Sequence, residues 1–493
     1  MDLTVLLQLS ILIPWFLSLL FGLVVGATPG LSATIAVSLL IPVAYSMPPV
    51  AGLAMVIGVS CTAIFSGDIP ATYLRVPGTG ASAAAVLDGY EMAQQGKSGL
   101  ALALDLFCSS LGGVIGVLCL IFIAPYLATF ALKFTHFQYF WLSIFGLIMS
   151  IFLSQSSPIK GAISLCLGLL LSTVGMDLST GYYRFTFGSL NLADGIVLTP
   201  VIIGLLGMSE VINKVSQPQN LQSVSVFDTA PMPPLSTTFG IIWRLKLLVL
   251  RSALIGAFIG ALPGAGADIA AWVTYGTAKK TSKEPEKFGH GAEEGVVAPT
   301  SANNAAICGA WIPALVFGIP GDSITAVVLG AMLVFGITPG PRIFTESSQM
   351  IRGVFSIAFL SQLILIPAGI IGIKAFLQIL KMPPKIVFVL VGIFALTGSY
   401  AIRRSFFDIF VMLFMAGVGY MMRRLSIPQA PLILGLILGP MVENNLRVGL
   451  LKSGGDFRIF LFDPICAVLV TLIVLVVMWE PCGKLIHYLR ARR

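Results

Sequence analysis

The residues of this chain best suited to hold a charged small molecule gather at four Pro-Gly steps set in apolar sequence. Residues 26–36 read GATPGLSATIA and residues 260–270 read GALPGAGADIA, so both fit G-A-x-P-G-x-x-A-x-I-A. Each copy is followed by I-P-A-x-x-x-x-x-P-G, first as Ile69-Pro70-Ala71 with Pro77-Gly78, then as Ile312-Pro313-Ala314 with Pro320-Gly321. Two matched pairs at nearly constant separation mark an internal duplication. Proline removes a backbone donor and glycine accepts angles that other residues resist, so a helix ends at such a step and another begins beyond it. Each new helix presents unpaired N–H groups and the positive end of its dipole. Four such starts suit an anion with more than one carboxylate.

The candidate anion ligands are therefore Thr28, Pro29, Gly30 and Ser32 at the first step; Arg75, Pro77, Gly78, Thr79 and Ser82 at the second; Pro263, Gly264 and Gly266 at the third; and Pro320, Gly321 and Ser323 at the fourth. The hydroxyls also read as ordinary helix caps. Arg75 reads either as a two-point clamp on a carboxylate or as a side chain snorkelling to an interface. Asp68, Asp268 and Asp322 adjoin the same steps. Carboxylates in an anion site need a cation partner, so these three are candidate cation ligands, with capping the plainer reading for Asp268 and Asp322. Asn303 and Asn304 join them, as oxygen donors to a sodium ion or as caps.

The elements that must position these residues are membrane helices. The chain is 57% hydrophobic and only 10% charged, with a mean hydropathy of +0.97, far from a soluble composition. Its apolar stretches predict about ten to fourteen membrane segments, the shorter ones as half-helices or re-entrant hairpins. The N-terminal apolar run follows Asp2 without a basic region, which predicts a retained first span. Lysines in the 279–287 loop and arginines at the C-terminus predict that both are cytoplasmic. The net charge of +8 follows from such loops, and no basic run is interleaved with aromatics, so nucleic acid is not an expected partner. Seven cysteines and three histidines show no metal-ligand or redox spacing. No Gly-rich loop ends in Gly-Lys-Ser/Thr, so ATP hydrolysis is not encoded. Neither a metal nor an organic cofactor is expected, and the chain does not read as an enzyme.

A polar stretch at 213–240 separates a first membrane repeat, 1–212, from a second, 241–493. An odd number of apolar segments lies between the two motif copies, which predicts opposite entry into the bilayer. The expected fold is an all-α polytopic membrane protein with two inverted-topology repeats containing broken and re-entrant helices. Paired Pro-Gly interruptions in two halves point to a secondary transporter's binding site. A passive anion channel is the alternative, because broken helices also line pores.

The motif copies, residues 88–92 (DGYEM) with Gly96, residues 288–299, Asn303-Asn304-Ala305-Ala306, residues 318–322 (GIPGD) and residues 438–446 (LGPMVENNL) together resemble the large membrane subunit of the tripartite tricarboxylate transporters. The resemblance covers nearly the whole chain. It implies a multi-pass permease of a bacterial inner membrane that works with a small four-helix membrane subunit and a periplasmic solute-binding protein. It also implies uptake of carboxylates such as citrate, driven by a sodium or proton gradient. Two places depart from the family pattern. Phe65-Ser66-Gly67-Asp68 and Leu74-Arg75-Val76-Pro77-Gly78 stand where the family has YGGS and LN-x-PG, and Thr300 stands where it has a glutamate.

Overall fold

The computed structural model describes residues 8–28, 31–152, 157–177, 180–216, 231–380 and 384–491. It is almost entirely helical, and among the described residues five helices are long and apolar enough to cross a membrane: Leu9–Ala27, Pro49–Leu74, Ser98–Ala131, Ser348–Phe376 and Phe406–Arg424. Shorter apolar helices accompany them, including Ala33–Tyr45 and Ser323–Leu333. This is the multi-pass helical membrane architecture that the composition requires. The apolar window of Pro49–Leu74 is 94% buried, against 33% for that of Phe406–Arg424. A helix apolar on all sides and covered on all sides sits at the centre of its unit, while one left open on its apolar faces meets lipid.

The chain forms two compact units, Met1–Ala128 with Thr199–Tyr420, and Thr129–Leu198 with Met421–Arg493. The first holds the four Pro-Gly steps. Its site-forming helices are α1 (Leu9–Ala27), α2 (Ala33–Tyr45), α3 (Pro49–Ser66), α4 (Asp68–Leu74), α5 (Val86–Gln94), α6 (Ser98–Ala131, whose last three residues fall in the other unit), α7 (Lys246–Gly260), α8 (Gly266–Thr281), α9 (Glu293–Phe317) and α10 (Ser323–Val334). Leu23, Phe65, Ile69, Leu102, Leu106 and Phe376 form a buried cluster joining α1, α3, α4, α6 and the helix Ser348–Leu380. Of the 213–240 stretch, 217–230 lies outside the described residues, and helices occupy Ser209–Ser216 and Leu235–Arg244 on either side.

The duplication read from sequence recurs as duplicated packing. A Cβ on Gly22 or Gly26 of α1 would meet the carbonyls of Val59 and Ala63 on α3. A Cβ on Gly256 or Gly260 of α7 would meet those of Ala302 and Ala306 on α9. The motif places Gly22 opposite Gly256, Gly26 opposite Gly260, Val59 opposite Ala302 and Ala63 opposite Ala306, so one helix seam is built twice from equivalent residues. Both seams need glycine because two backbones approach without room for a side chain.

The second unit contains the helices His136–Phe152, Pro158–Ser172, Ala430–Lys452 and Pro464–Ala491 and a short antiparallel pair, Gly175–Met176 with Tyr183–Arg184. Its own glycine seam puts Gly168 on the Leu432 carbonyl. Arg184 donates twice to Glu443 (2.7 and 3.1 Å), and Arg447 donates to Asp177 (2.8 Å) and Glu443 (2.7 Å). Asn445 meets His136 at 2.9 Å. The LGPMVENNL segment thus ties a strand pair and a helix start to Ala430–Lys452 within this unit.

Candidate functional site

Each Pro-Gly step interrupts helix where the sequence places it. α1 stops at Ala27 and α2 starts at Ala33; α4 stops at Leu74; α7 stops at Gly260 and α8 starts at Gly266; α9 stops at Phe317 and α10 starts at Ser323. Pro29 and Gly30 themselves lie outside the described residues. The second step differs from the others: it is followed by a three-residue 3-10 turn, Ala81–Ala83, before α5 begins at Val86. A single tight turn carries little dipole, so full helix starts follow three of the four steps.

The four steps converge. Gly78 N–H donates to the Gly67 carbonyl at 3.0 Å, and a Cβ on Gly78 would stand 2.5 Å from the Gly26 carbonyl oxygen, joining steps one and two. Gly264 N–H donates to the Gly321 carbonyl at 2.8 Å, and a Cβ on Gly321 would stand 2.3 Å from the Gly260 oxygen, joining steps three and four. The halves then meet crosswise. Thr34 and Ser323 hydroxyls are 3.0 Å apart, while Gly80 lies so close to Asp268 that a Cβ on it would stand 2.3 Å from the carboxylate. By the motif register Thr34 corresponds to Asp268 and Ser323 to Gly80, so the second contact is the first with the halves exchanged. Such reciprocity is what a two-fold relation between equivalent surfaces produces.

Around this ring the hydroxyls and carboxylates divide their tasks. Ser32 caps α2 by accepting from Ile35 N–H at 3.3 Å. Asp322 caps α10, accepting from Thr325 N–H at 2.7 Å while Thr325 Oγ1 accepts from Asp322 N–H at 3.0 Å. The dipole end of α10 is therefore already met by a carboxylate. Thr28 donates to Val24 O at 2.8 Å, and Thr79 pairs with Ser82 at 2.7 Å. Asp268 is not a cap; it stands in the first turn of α8, solvent-exposed, with Asp322 as its charged neighbour. Gly264 and Gly266, at φ +83° and +63°, bend the chain between them, and Gly266 lies against Asp322. Thr28, Ser32, Thr34, Asp322 and Ser323 are half-exposed, so the ring is reachable.

Arg75 is exposed, and its guanidinium lies 5.4 Å from the Tyr90 ring centre, a cation–π distance. Its backbone is left-handed at φ +58°, the conformation that Gly318 adopts at φ +70° at the equivalent end of α9. A side chain held there costs about 1–2 kcal/mol relative to glycine.

Asn303 and Asn304 lie in mid-helix on α9 and are fully buried, which removes the capping reading. Asn303 Nδ2 donates to Asp68 Oδ2 at 3.3 Å, bringing those two candidates together. Sequence reasoning missed Asp88, whose carboxylate gathers four donors: the N–H groups of Gly289, Gly291 and Ala292 at 2.8–2.9 Å and the Tyr275 hydroxyl at 2.9 Å. The DGYEM segment and the 288–292 loop are thereby one structural joint. Their signal in the sequence was the pair of glycines, Gly289 and Gly291, both at positive φ.

Discontinuous helices meeting in one accessible polar ring inside an almost entirely helical multi-pass protein define the class as a membrane transport protein. Residues 12–434 match the family described as the tripartite tricarboxylate transporter TctA family, and the chain belongs to it. It is 35% identical over 452 residues to an uncharacterized 52.8 kDa protein in the TAR-I ttuC' 3' region of Agrobacterium vitis, covering 92% of this chain and 89% of that one. It is also 37% identical over 217 residues to an uncharacterized protein in the TAR-II ttuC' 3' region of the same organism, covering 44% of this chain and 90% of the relative. No solved structure matches.

Proposed function

We propose that this chain is the large permease subunit of a secondary tripartite transporter that imports di- or tricarboxylates such as citrate across a bacterial inner membrane, driven by a sodium or proton gradient. It receives substrate from a periplasmic binding protein and works with a small four-helix membrane subunit. The observation that carries this reading is the convergence of four helix interruptions from two equivalent halves on one ring of accessible hydroxyls. With a two-fold relation between the halves, an axis in the membrane plane makes them inverted repeats, the arrangement in which discontinuous helices meet at a midplane site.

The ring's own charge favours coupling. Asp268 and Asp322 repel a carboxylate substrate, and a bound cation reverses that term. Substrate and cation then bind together and each raises the other's affinity, since coupling free energy is reciprocal. The test is flux in proteoliposomes containing the chain and its small subunit, with binding protein and labelled citrate outside. Concentrative uptake under an imposed sodium or proton gradient is expected; purely downhill flux identifies a channel instead.

Arg75 provides a sharper prediction. Arg75→Gly relieves left-handed strain and raises stability by about 1 kcal/mol, read as a higher melting temperature in detergent. The same substitution, and Arg75→Lys with it, weakens citrate affinity by roughly ten- to a hundred-fold through loss of a charge-assisted contact. Near-normal affinity in Arg75→Lys removes Arg75 from the site.

A further inference from the structure

Behind the ring lies a second polar group of residues that the transport reading does not by itself explain. Asp105 lies on α6 in the middle of an apolar run and is 1% exposed; Asp68, at the start of α4, is also 1% exposed. The two carboxyl groups stand within hydrogen-bonding reach of each other. Asp68 Oδ2 accepts from Asn303 and Asp105 Oδ1 accepts from Ser109 at 3.3 Å, but Asp68 Oδ1 and Asp105 Oδ2 have no donor at all. The neighbouring elements supply Ser82 from the 3-10 turn, Cys108 and Ser109 from α6, and Asn303 and the Thr300 carbonyl from α9. Among the described residues no lysine, arginine or histidine pairs with either carboxyl.

Two carboxylates in contact, out of water and without a basic partner, cannot both stay charged: the desolvation and the mutual repulsion each amount to several kcal/mol. A monovalent cation bound at the two donorless oxygens cancels the mutual repulsion and leaves one net charge, shared over both carboxyls, to be met by the Asn303 and Ser109 donors. We propose that Asp105 and Asp68, with the Asn303 amide and the Ser82 hydroxyl beside them, form a buried site for one monovalent cation, a sodium ion or a proton. Hard oxygen donors at a carboxylate pair suit either. The site adjoins the ring through Ser82, whose hydroxyl pairs with Thr79 at the second Pro-Gly step. Occupancy of the buried pair is thus felt at the outer hydroxyls, one hydrogen bond away. The proposal rests on the transport reading for the ion's purpose alone.

Binding of radioactive sodium to the purified full chain in detergent, without any carboxylate present, tests it directly. If the cation is sodium, binding saturates, falls by more than about tenfold in affinity in Asp105→Asn and in Asp68→Asn, and is unchanged in Asp456→Asn, an exposed aspartate. If the cation is a proton, sodium does not bind and the infrared band of a protonated, non-exchanging carboxyl is present in the unmodified chain and absent from Asp105→Asn. Should Asp105→Asn not purify as a monodisperse protein, Asp105→Glu, which shifts the carboxylate by one methylene, replaces it in the sodium-binding measurement alone, and Asp68→Asn replaces it in both measurements. Neither signal in the unmodified chain, or either signal undiminished in the Asp105 variant, overturns the proposal. Because nothing here measures flux, a failure of concentrative citrate uptake leaves the cation site standing, and the reverse also holds.

Discussion

Asp88→Ala leaves the chain unable to hold its native fold at physiological temperature. One carboxylate accepts from three backbone N–H groups and a tyrosine hydroxyl, and Asp88 is fully buried. Each buried donor deprived of its acceptor costs about 1–3 kcal/mol, and four at once approach the whole stability of an ordinary domain. Asp88→Asn is milder. Its oxygen still accepts from the three amides, and its new N–H group can donate to the Tyr275 hydroxyl, which then acts as acceptor. The order unmodified, Asn, Ala in melting temperature and in the monodisperse fraction on size exclusion is the expected result. Equal behaviour of Ala and Asn would show that the 288–292 loop finds water instead.

A methyl group at Gly260 or Gly321 is the second large expected effect. The new Cβ at Gly260 would stand 2.0 Å from the Ala306 carbonyl oxygen, and at Gly321 2.3 Å from that of Gly260. Those neighbours are backbone and cannot rotate away. Overpacking costs about 1–3 kcal/mol where side chains can yield, so Gly260→Ala and Gly321→Ala fall at or beyond the top of that range. Gly276→Ala is the control: it lies in α8 with nothing within 4 Å, and gains up to about 1 kcal/mol from helix propensity. Thermal melts of the three variants decide the matter, and a Gly260→Ala protein that melts with the unmodified chain would refute the seam.

The sequence was most legible where two local rules coincide. Proline alone did not end helices, since Pro42, Pro299, Pro313 and Pro440 lie inside them. At each Pro-Gly step whose flanks are described the helix ends before the proline: Gly264 takes a positive φ at the third step, while at the second and fourth the left-handed residue is Arg75 or Gly318, two residues ahead of the proline. The register of the duplication even paired Arg75 with Gly318. What stayed hidden were partnerships between distant parts of the chain. Asp105 has no motif around it, and its neighbour Asp68 is supplied by another helix. Asn303 and Asn304 precede an apolar run and so read as possible caps, yet α9 passes through them unbroken. The 3-10 turn after the second step was equally invisible, because Ala81-Ser82-Ala83 has no feature that rejects a longer helix.

The left-handed corner at Arg75 has a bearing on symmetry. Two interchangeable halves would offer a ligand the same surface twice over. At one of two equivalent corners this chain keeps glycine, and at the other it holds a positive charge in a backbone conformation that resists any side chain. Together with Asp268 in the place of Thr34 and Ser323 in the place of Gly80, this mismatch makes the two halves unlike in charge as well as in backbone strain, so a ligand does not meet the same surface on each.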